Sequence, residues 1–349
     1  MSDSRTVSET PSGSAAAPDG WGVRLRTYVE LARPFTLVPP TLGVISGAIT
    51  AFGSVSNPDP ARQWTASVLW VIFLGSLCAG CLNAASNILN QYYDLEIDRK
   101  NKPGRPFPSG RMGLREGWWL SVFFYVLAVI PTWMVVTYPE NGFSGKFFAP
   151  LGRHECIFIY LVGLLLTLVY SVPVFGRTKR KGFWANLTIS LPRGCLLKVA
   201  GWSMVATIWR LEPWYIGFIF MIFLLGATNT KDFSDMEGDR ADGCMTLPIR
   251  YGVKKAAWLT APYLIVPWIL MPLGVLLPAP GNPGQRILTG NPILLTLFGA
   301  VLAAWGGYTA YLMLRRPEEL AKTENHISWT HMYLMMMFAQ IGFAVAYLF

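Results

Sequence analysis

The sequence predicts an all-α integral membrane protein with nine transmembrane helices around a central cavity. Of its 349 residues, 52% are hydrophobic and only 14% are charged, and the mean hydropathy is +0.37. The charges fall between apolar stretches of about 20 residues, the length that crosses a bilayer as a helix. This composition excludes an ordinary soluble domain. The net charge of +9 then fits basic cytoplasmic loops, and no nucleic-acid partner is expected.

The chain before the first span divides into two parts. Residues 1–20 are rich in Ser, Ala and Pro without an apolar core, so we predict a disordered tail and no signal peptide. In residues 21–34, Arg24, Arg26 and Arg33 alternate with apolar side chains. This pattern predicts an amphipathic helix at the membrane surface, followed by a membrane domain over residues 35–349.

Nine apolar stretches in that domain are long enough to span a bilayer. The fifth is interrupted by Pro192, Arg193, Gly194 and Lys198. Charges within a span usually face a polar cavity, so we expect this helix to line the interior. The predicted spans are residues 35–53, 66–91, 118–138, 155–173, 183–207, 213–231, 257–277, 291–314 and 328–349.

The basic residues are distributed unequally between the two sides that nine spans define. The N-terminal segment and the loops after the even-numbered spans hold 21 of the 29 Lys and Arg residues, and the opposite side holds five. Cytoplasmic loops are enriched in Lys and Arg. We therefore place the N-terminus and the loops after spans two and six in the cytoplasm.

Two acidic motifs end spans two and six, over residues 90–99 and 231–240. An offset of 141 residues aligns Asp94 with Asp235 and Asp98 with Asp239. The motifs are an internal repeat, which two bundles that share one site would explain. A spacing of four residues places Asn90, Asp94 and Asp98 on one helical face, as it does Asp235 and Asp239.

Carboxylates one helical turn apart repel each other, and a divalent cation would relieve that repulsion. Mg²⁺ prefers oxygen ligands and is often held by one or two carboxylates together with substrate phosphates. The pair of clusters therefore predicts two Mg²⁺ ions that hold a diphosphate. Interfacial charges at solvated helix ends are the alternative, and two matched copies make it the weaker one.

Basic side chains near the motifs would complement a diphosphate. Three prolines follow in the loop after the first motif and restrict the backbone that carries Lys102 and Arg105. Simple positive-inside charge explains these two residues equally well. Lys231 and Arg193 lie nearer the hydrocarbon and need an anionic partner there, so we also assign them to the diphosphate.

The motifs together resemble the UbiA superfamily of intramembrane aromatic prenyltransferases, from about Arg33 to the end of the chain. The residues that carry the resemblance are Asn90-x3-Asp94-x3-Asp98, Asn101-x-Pro103-x-Arg105-Pro106, Tyr170-Ser171-x-Pro173 and Lys231-Asp232-x-x-Asp235-x-Glu237-Gly238-Asp239-Arg240. The resemblance implies the fold of that family, in which the motifs bind Mg²⁺ and a prenyl diphosphate in a cavity under the cytoplasmic loops.

Residue by residue, the resemblance implies the following roles. The metal ligands are Asn90, Asp94, Asp98, Asp235 and Asp239. The resemblance also gives Lys102, Arg105 and Lys231 to the diphosphate. To these we add Arg193, from its position within a span, and Asp232, as residues that bind the donor together with Asn90. Tyr170 would face the reaction centre with the four motif aspartates and stabilise an allylic cation, although an interfacial tyrosine explains its position equally well.

The sequence departs from the family pattern at Gln91, where many members have Asp. The first cluster therefore has one carboxylate fewer. The second motif is most similar to branches whose acceptors are glyceryl-phosphate lipids, homogentisate or chlorophyllide, and the sequence leaves that choice open.

The predicted function is Mg²⁺-dependent transfer of a prenyl group from an isoprenyl diphosphate to a lipophilic or aromatic acceptor within the membrane. The partners are accordingly the donor, the acceptor and membrane lipid. A terpene cyclase of the same superfamily would use the same metals and donor. A cation-coupled transporter is a more distant alternative, because its acidic residues would lie near the midplane of the membrane and not at span ends.

Overall fold

The computed structural model describes residues 20–58, 63–138, 144–324 and 326–349, so the predicted tail lies outside the described residues except for Gly20. Helices dominate the described chain, joined by short 3₁₀ turns and one β-hairpin. The α-helices are α1 Trp21–Ala32, α2 Val38–Gly53, α3 Ala66–Tyr93, α4 Leu95–Asn101, α5 Leu114–Val129, α6 Ser144–Phe147, α7 Glu155–Ser171, α8 Phe183–Ser190, α9 Leu197–Ser203, α10 Leu211–Ala227, α11 Asn229–Asp232, α12 Met236–Ala241, α13 Leu247–Tyr251, α14 Val253–Leu276, α15 Pro292–Arg315 and α16 Ile327–Leu348. The hairpin pairs β1 Pro278–Ala279 with β2 Asn282–Arg286 in antiparallel orientation.

Seven helical stretches among the described residues are long and apolar enough to cross a membrane, and the protein is a multi-pass membrane protein. The fourth predicted span is the shorter apolar helix α7, and the fifth consists of three consecutive helical segments. The count of nine therefore stays a prediction. The seven stretches are Pro34–Gly53, Ala66–Tyr93, Leu114–Met134, Leu211–Asp232, Val253–Leu276, Pro292–Arg315 and Ile327–Leu348.

The fifth predicted span contains a π-helical segment, Leu191–Leu196, between α8 and α9. Pro192 has no backbone N–H and cannot donate the hydrogen bond of a regular α-helix, so the helix widens there. Gly194 allows this segment to approach α10, because a Cβ at Gly194 would lie 2.6 Å from the backbone of Met221. Pro192, Arg193 and Gly194 thus lie in a wide helical turn that packs against α10.

The core is formed where the long helices cross. Trp268 of α14 packs against Phe220 and Phe223 of α10, with ring centroids 5.9 and 4.9 Å apart. Elsewhere a glycine permits close helix contact: a Cβ at Gly201 would lie 2.1 Å from the carbonyl oxygen of Val44. Close approach at small residues is typical of helix association in membranes.

Helix α1 covers Trp21–Ala32, within the residues 21–34 predicted as an amphipathic surface helix, and that assignment stays a prediction. Its C-terminal carbonyl groups are bound by amide side chains of α3. Asn87 donates to the carbonyl oxygen of Ala32 at 3.0 Å, and Gln91 donates to that of Leu31 at 2.9 Å. This explains the departure from the family pattern, since Gln91 holds α1 on α3 and does not line the cavity described below.

A buried carboxylate joins four elements at the end of α10 that lies away from the acidic motifs. Glu212 accepts hydrogen bonds from the hydroxyl groups of Ser54 and Tyr347, each at 2.5 Å, and from the backbone N–H of Thr289 at 2.7 Å. It thereby ties together the end of α2, the start of α10, the segment before α15 and the end of α16. Hydrogen bonds to the charged form compensate for its burial.

Candidate functional site

The two acidic motifs share one backbone geometry. Asp94 has φ −96° and ψ 15°, Asp235 has φ −96° and ψ 6°, and each precedes a short helix, α4 or α12. The predicted single helical face is therefore interrupted at both residues. The backbone N–H groups of Asp98 and Asp239 nevertheless donate to the carbonyl oxygens of Asp94 and Asp235, at 2.8 and 3.0 Å, so each pair of aspartates stays one turn apart.

Helices α4 and α12 contact each other and bring the motifs together. The Asn101 amide donates to the Asp235 carbonyl oxygen at 3.4 Å. Gly238 permits this approach, because a Cβ there would lie 2.3 Å from the side-chain nitrogen of Asn101. The equivalent acidic residues Glu96 and Glu237 are exposed, so both copies of the repeat turn the same positions inward.

A cavity of about 350 Å³ lies beneath α4 and α12. Every residue that the sequence analysis assigned to the site lines it. They are Asn90, Asp94, Asp98, Lys102, Arg105, Tyr170, Arg193, Lys231, Asp232, Asp235 and Asp239.

Two cations of the proline-rich loop pair with the motifs, one with each. Arg105 donates to both carboxylate oxygens of Asp98, at 2.6 and 2.7 Å. Lys102 reaches the other motif and lies 3.1 Å from Asp235. Burial raises the pKa of Asp98, and the guanidinium of Arg105 opposes that rise. The loop therefore joins the two motifs across the mouth of the cavity.

The sequence analysis missed two further cations, Arg177 and Lys179, in the loop after α7. Both pair with Asp94: Arg177 lies 3.2 Å from one carboxylate oxygen, and Lys179 donates to the other. Arg177 also pairs with Asp242 at 3.2 Å and has a left-handed backbone with φ 39°. Their only sequence signal is a basic run after Tyr170-Ser171-x-Pro173, which also satisfies positive-inside charge.

Asp232 and Asp239 form no side-chain hydrogen bond or ion pair with the described residues, although both line the cavity. Burial and the charges of Asp235 and Asp94 raise the pKa of Asp239 to about 6. Within the described ranges no three carboxylate, imidazole or thiolate groups converge tightly enough to hold a metal ion as they stand. The donor set nevertheless fits Mg²⁺, since it consists of carboxylate and amide oxygens, and Asp232 and Asp239 are carboxylates that no described cation pairs with.

Two further polar residues, Tyr170 and Lys231, also line the cavity. The hydroxyl group of Tyr170 is within electrostatic range of Lys179, Asp94 and Asp232. Lys231 Nζ lies 3.4 Å from the carbonyl oxygen of Glu324 and 5.1 Å from the centroid of the Trp329 ring. Lys231 is thus held towards α16, unlike Lys102.

The rest of the lining combines apolar and aromatic side chains with uncharged polar ones such as Asn83, Thr167 and Asn186. Phe35 stacks on Tyr333 with centroids 4.5 Å apart, and the Tyr333 hydroxyl donates to the Phe35 carbonyl oxygen at 2.9 Å. Further apolar lining residues are Pro39, Leu166, Leu197, Leu224, Met332 and Met336. A cavity that combines ionic groups with apolar and aromatic surface suits a ligand with a charged head and a hydrocarbon chain.

Comparison with known proteins agrees with this geometry. The model of the UbiA prenyltransferase family matches residues 37–330. The chain is 29% identical to digeranylgeranylglyceryl phosphate synthase of Methanobrevibacter smithii, over 92% of this chain and 98% of that protein. It is 27% identical to the bacteriochlorophyll synthase 33 kDa chain of Cereibacter sphaeroides, over 90% and 91% of the two chains.

A solved structure shares the fold. A UbiA homolog from Archaeoglobus fulgidus bound to GPP and Mg²⁺ superposes with a TM-score of 0.64 at 18% identity, covering 92% of this chain and 99% of that one. The family match spans both acidic motifs and most of the membrane domain. The chain is a prenyltransferase and belongs to the UbiA prenyltransferase family.

Proposed function

We propose that this protein transfers a prenyl group from an isoprenyl diphosphate to a lipophilic or aromatic acceptor within the membrane, in a reaction that requires Mg²⁺, with two ions bound. The observation that supports the proposal is the convergence of both acidic motifs and their basic partners on one cavity that also has apolar and aromatic lining residues. The prenyl chain would occupy the apolar part and the diphosphate the ionic end.

The metal ligands would come from Asn90, Asp94, Asp98, Asp235 and Asp239. When bound, Mg²⁺ would act as a Lewis acid on the diphosphate oxygens. The cations that now pair with the carboxylates would turn to the diphosphate. They are Lys102, Arg105, Arg177 and Lys179, joined by Lys231, while Asp232 would support the second motif.

The reaction breaks the bond between the allylic carbon and the diphosphate oxygen, and the electron pair leaves with the diphosphate. Tyr170 would stabilise the allylic cation with its ring, and the apolar lining would exclude water from it. The acceptor supplies the electron pair of the new bond and loses one proton, which balances the charge of the released diphosphate.

The nine-span arrangement and the cytoplasmic position of the motifs are part of this proposal. Cysteine variants at the exposed positions Ser109 and Ala241 should be protected from an impermeant thiol reagent in intact cells, while Asn282→Cys should be labelled. The parent protein supplies the background of its five native cysteines. Opposite labelling of Ser109→Cys and Ala241→Cys would separate the motifs and overturn the shared site.

The activity itself is tested by mass spectrometry of products from the purified protein in lipid vesicles with Mg²⁺. A panel of prenyl diphosphates is combined with a glyceryl-phosphate lipid, homogentisate and chlorophyllide as acceptors. We expect a product that contains both skeletons and diphosphate release that rises when the correct acceptor is added. A hydrocarbon or terpene alcohol formed without an acceptor would indicate a cyclase instead, and the absence of any diphosphate release would favour transport.

A further inference from the structure

Arg33 and Arg193 line the cavity but remain outside the network of ion pairs that surrounds the motifs. Neither forms a salt bridge or a side-chain hydrogen bond with any residue that the structure describes. Lys231 contacts the carbonyl oxygen of Glu324, and the other four cations at the charged end each contact a motif aspartate. Those cations are Lys102, Arg105, Arg177 and Lys179.

The backbone presents Arg193 to the cavity in an unusual way. It lies in the π-helical segment Leu191–Leu196, and its side chain is exposed although the flanking Gly194 and Cys195 are buried. Since Arg193 lines the cavity, its accessible surface faces the interior. Single π-turns within helices occur frequently at functional sites.

Arg33 also has an unusual backbone, the left-handed conformation with φ 57° and ψ 66° at the end of α1. A residue other than glycine in this region is strained, and such strain is concentrated at functional sites. Burial and the nearby charges of Arg105 and Arg193 lower the pKa of Arg33 to about 10. Arg33 stays protonated near neutral pH, so two like charges face one region of the cavity.

The charged and polar neighbours of Arg33 and Arg193 place these two guanidinium groups beside the part of the cavity where the acidic motifs would bind the donor. Arg193 is within electrostatic range of Tyr170, and Arg33 is within range of Arg193, Asp98 and Asp235. All five residues line the same cavity. The two guanidinium groups therefore mark a position that extends from the motifs towards Tyr170. This is where a second substrate would have to meet the allylic carbon.

We infer that Arg33 and Arg193 bind an oxyanion of the acceptor, a phosphate or a carboxylate, and thereby select acceptors that carry one. A guanidinium group binds either anion through two parallel hydrogen bonds. The inference rests on the proposed function and differs from the sequence-based prediction that gave Arg193 to the donor. Four cations already pair with the motif aspartates at the donor end, whereas Arg33 and Arg193 form no ion pair with a described residue.

The test compares acceptors that differ only in the anion, with geranylgeranyl diphosphate as the donor. One pair is geranylgeranylglyceryl phosphate and geranylgeranylglycerol, and the other is homogentisate and methylhydroquinone, so the two arms separate phosphate from carboxylate. We expect the parent to prefer the anionic member of one pair. Arg193→Gln should raise KM for that anionic acceptor about 10- to 100-fold, leave KM for the donor nearly unchanged and abolish the preference.

Two further variants distinguish recognition from a structural role. Arg193→Lys should recover part of the preference, because it keeps the charge and loses the paired geometry. Arg250→Gln removes an exposed charge from α13 and should leave both KM values at the parent level. Arg33→Gln, like Arg193→Gln, should raise KM for the anionic acceptor and weaken the preference for it.

The outcomes separate this inference from the proposed function. If the parent prenylates neutral and anionic acceptors equally well, or if Arg193→Gln raises KM for the donor and not for the acceptor, the inference is wrong while prenyl transfer stands. If no acceptor in the wider panel is prenylated, the proposed function itself fails and the inference fails with it.

Discussion

Asp94 and Asp235 lie 141 positions apart and adopt nearly the same backbone conformation, with φ −96° in both and ψ values of 15° and 6°. Each precedes a short helix that carries a second aspartate one turn later. The repeat is thus present in the backbone as well as in the sequence, and the two copies meet through α4 and α12. Their equivalence gives each acidic variant a counterpart in the other motif.

Asp94→Asn and Asp235→Asn should each lower kcat/KM for prenyl transfer on the order of 100-fold, because each removes charge that holds the diphosphate site together. Steady-state diphosphate release in vesicles measures the effect. Glu96→Gln and Glu237→Gln are the matched controls, since these equivalent carboxylates are exposed. If only Glu96→Gln and Glu237→Gln lost activity, the site would be formed by these exposed carboxylates and not by Asp94 and Asp235.

Removal of divalent metal should stop transfer without unfolding the protein. EDTA is expected to abolish product formation, and Mg²⁺ should restore it, because the carboxylates supply only oxygen ligands. Thermal unfolding of the treated protein provides the control for folding. Full activity in EDTA would contradict the metal-dependent mechanism.

Activity should fall as the pH drops through about 6, where the Asp239 carboxylate takes up a proton. Protonation removes the charge that a metal needs, so a proton and Mg²⁺ compete for this residue. Raising the Mg²⁺ concentration should therefore shift the decline to lower pH. A pH profile that is independent of Mg²⁺ concentration would remove Asp239 from the metal site.

Gly238→Ala should separate the two motifs while the membrane domain stays folded. The new Cβ would meet the Asn101 side chain at 2.3 Å, so α12 or Asn101 has to shift. We expect a decrease in kcat on the order of 10-fold, since small displacements of reacting groups are costly. Gly307→Ala is the control, because nothing lies within 4 Å of a Cβ at that helical glycine, and it should retain the parent rate.

Glu212→Ala should destabilise the folded protein by about 3 kcal/mol or more, because the buried hydroxyl groups of Ser54 and Tyr347 and the partly buried N–H of Thr289 lose their shared acceptor. Glu212→Gln keeps the shape of the side chain and should lower the stability of the folded protein by less. The thermal unfolding midpoint in detergent measures both effects, with exposed Glu318→Ala as the control. Equal midpoints for Glu212→Ala and the parent would mean that these hydrogen bonds contribute nothing to stability.

The membrane class, most spans and both acidic motifs could be predicted from the sequence because each depends on local pattern. Hydropathy over about 20 residues identifies a helix such as α10, and the spacing in Asp94-x3-Asp98 identifies the carboxylate cluster. The fifth span was harder to predict. Pro192 signalled an interruption, but the sequence does not show that the interruption is a π-turn packed on α10 at Gly194.

The ion pairs of the site could not be predicted, because they depend on how loops fold over the cavity. Lys102 pairs with Asp235 of the other motif, and Arg177 reaches Asp94 from a third loop. In the sequence, these cations cannot be distinguished from ordinary charges on cytoplasmic loops. The role of Gln91 was equally hidden, since its partner Leu31 lies 60 positions away.

The hydrogen bonds from Asn87 and Gln91 to the end of α1 have a mechanical consequence. Because amide side chains of α3 take the place of water at those carbonyl oxygens, α1 should move together with α3, the helix that ends directly before Asp94. A fluorophore attached at the exposed Trp21 position would then report movement of the first acidic motif. No probe inside the cavity would be needed.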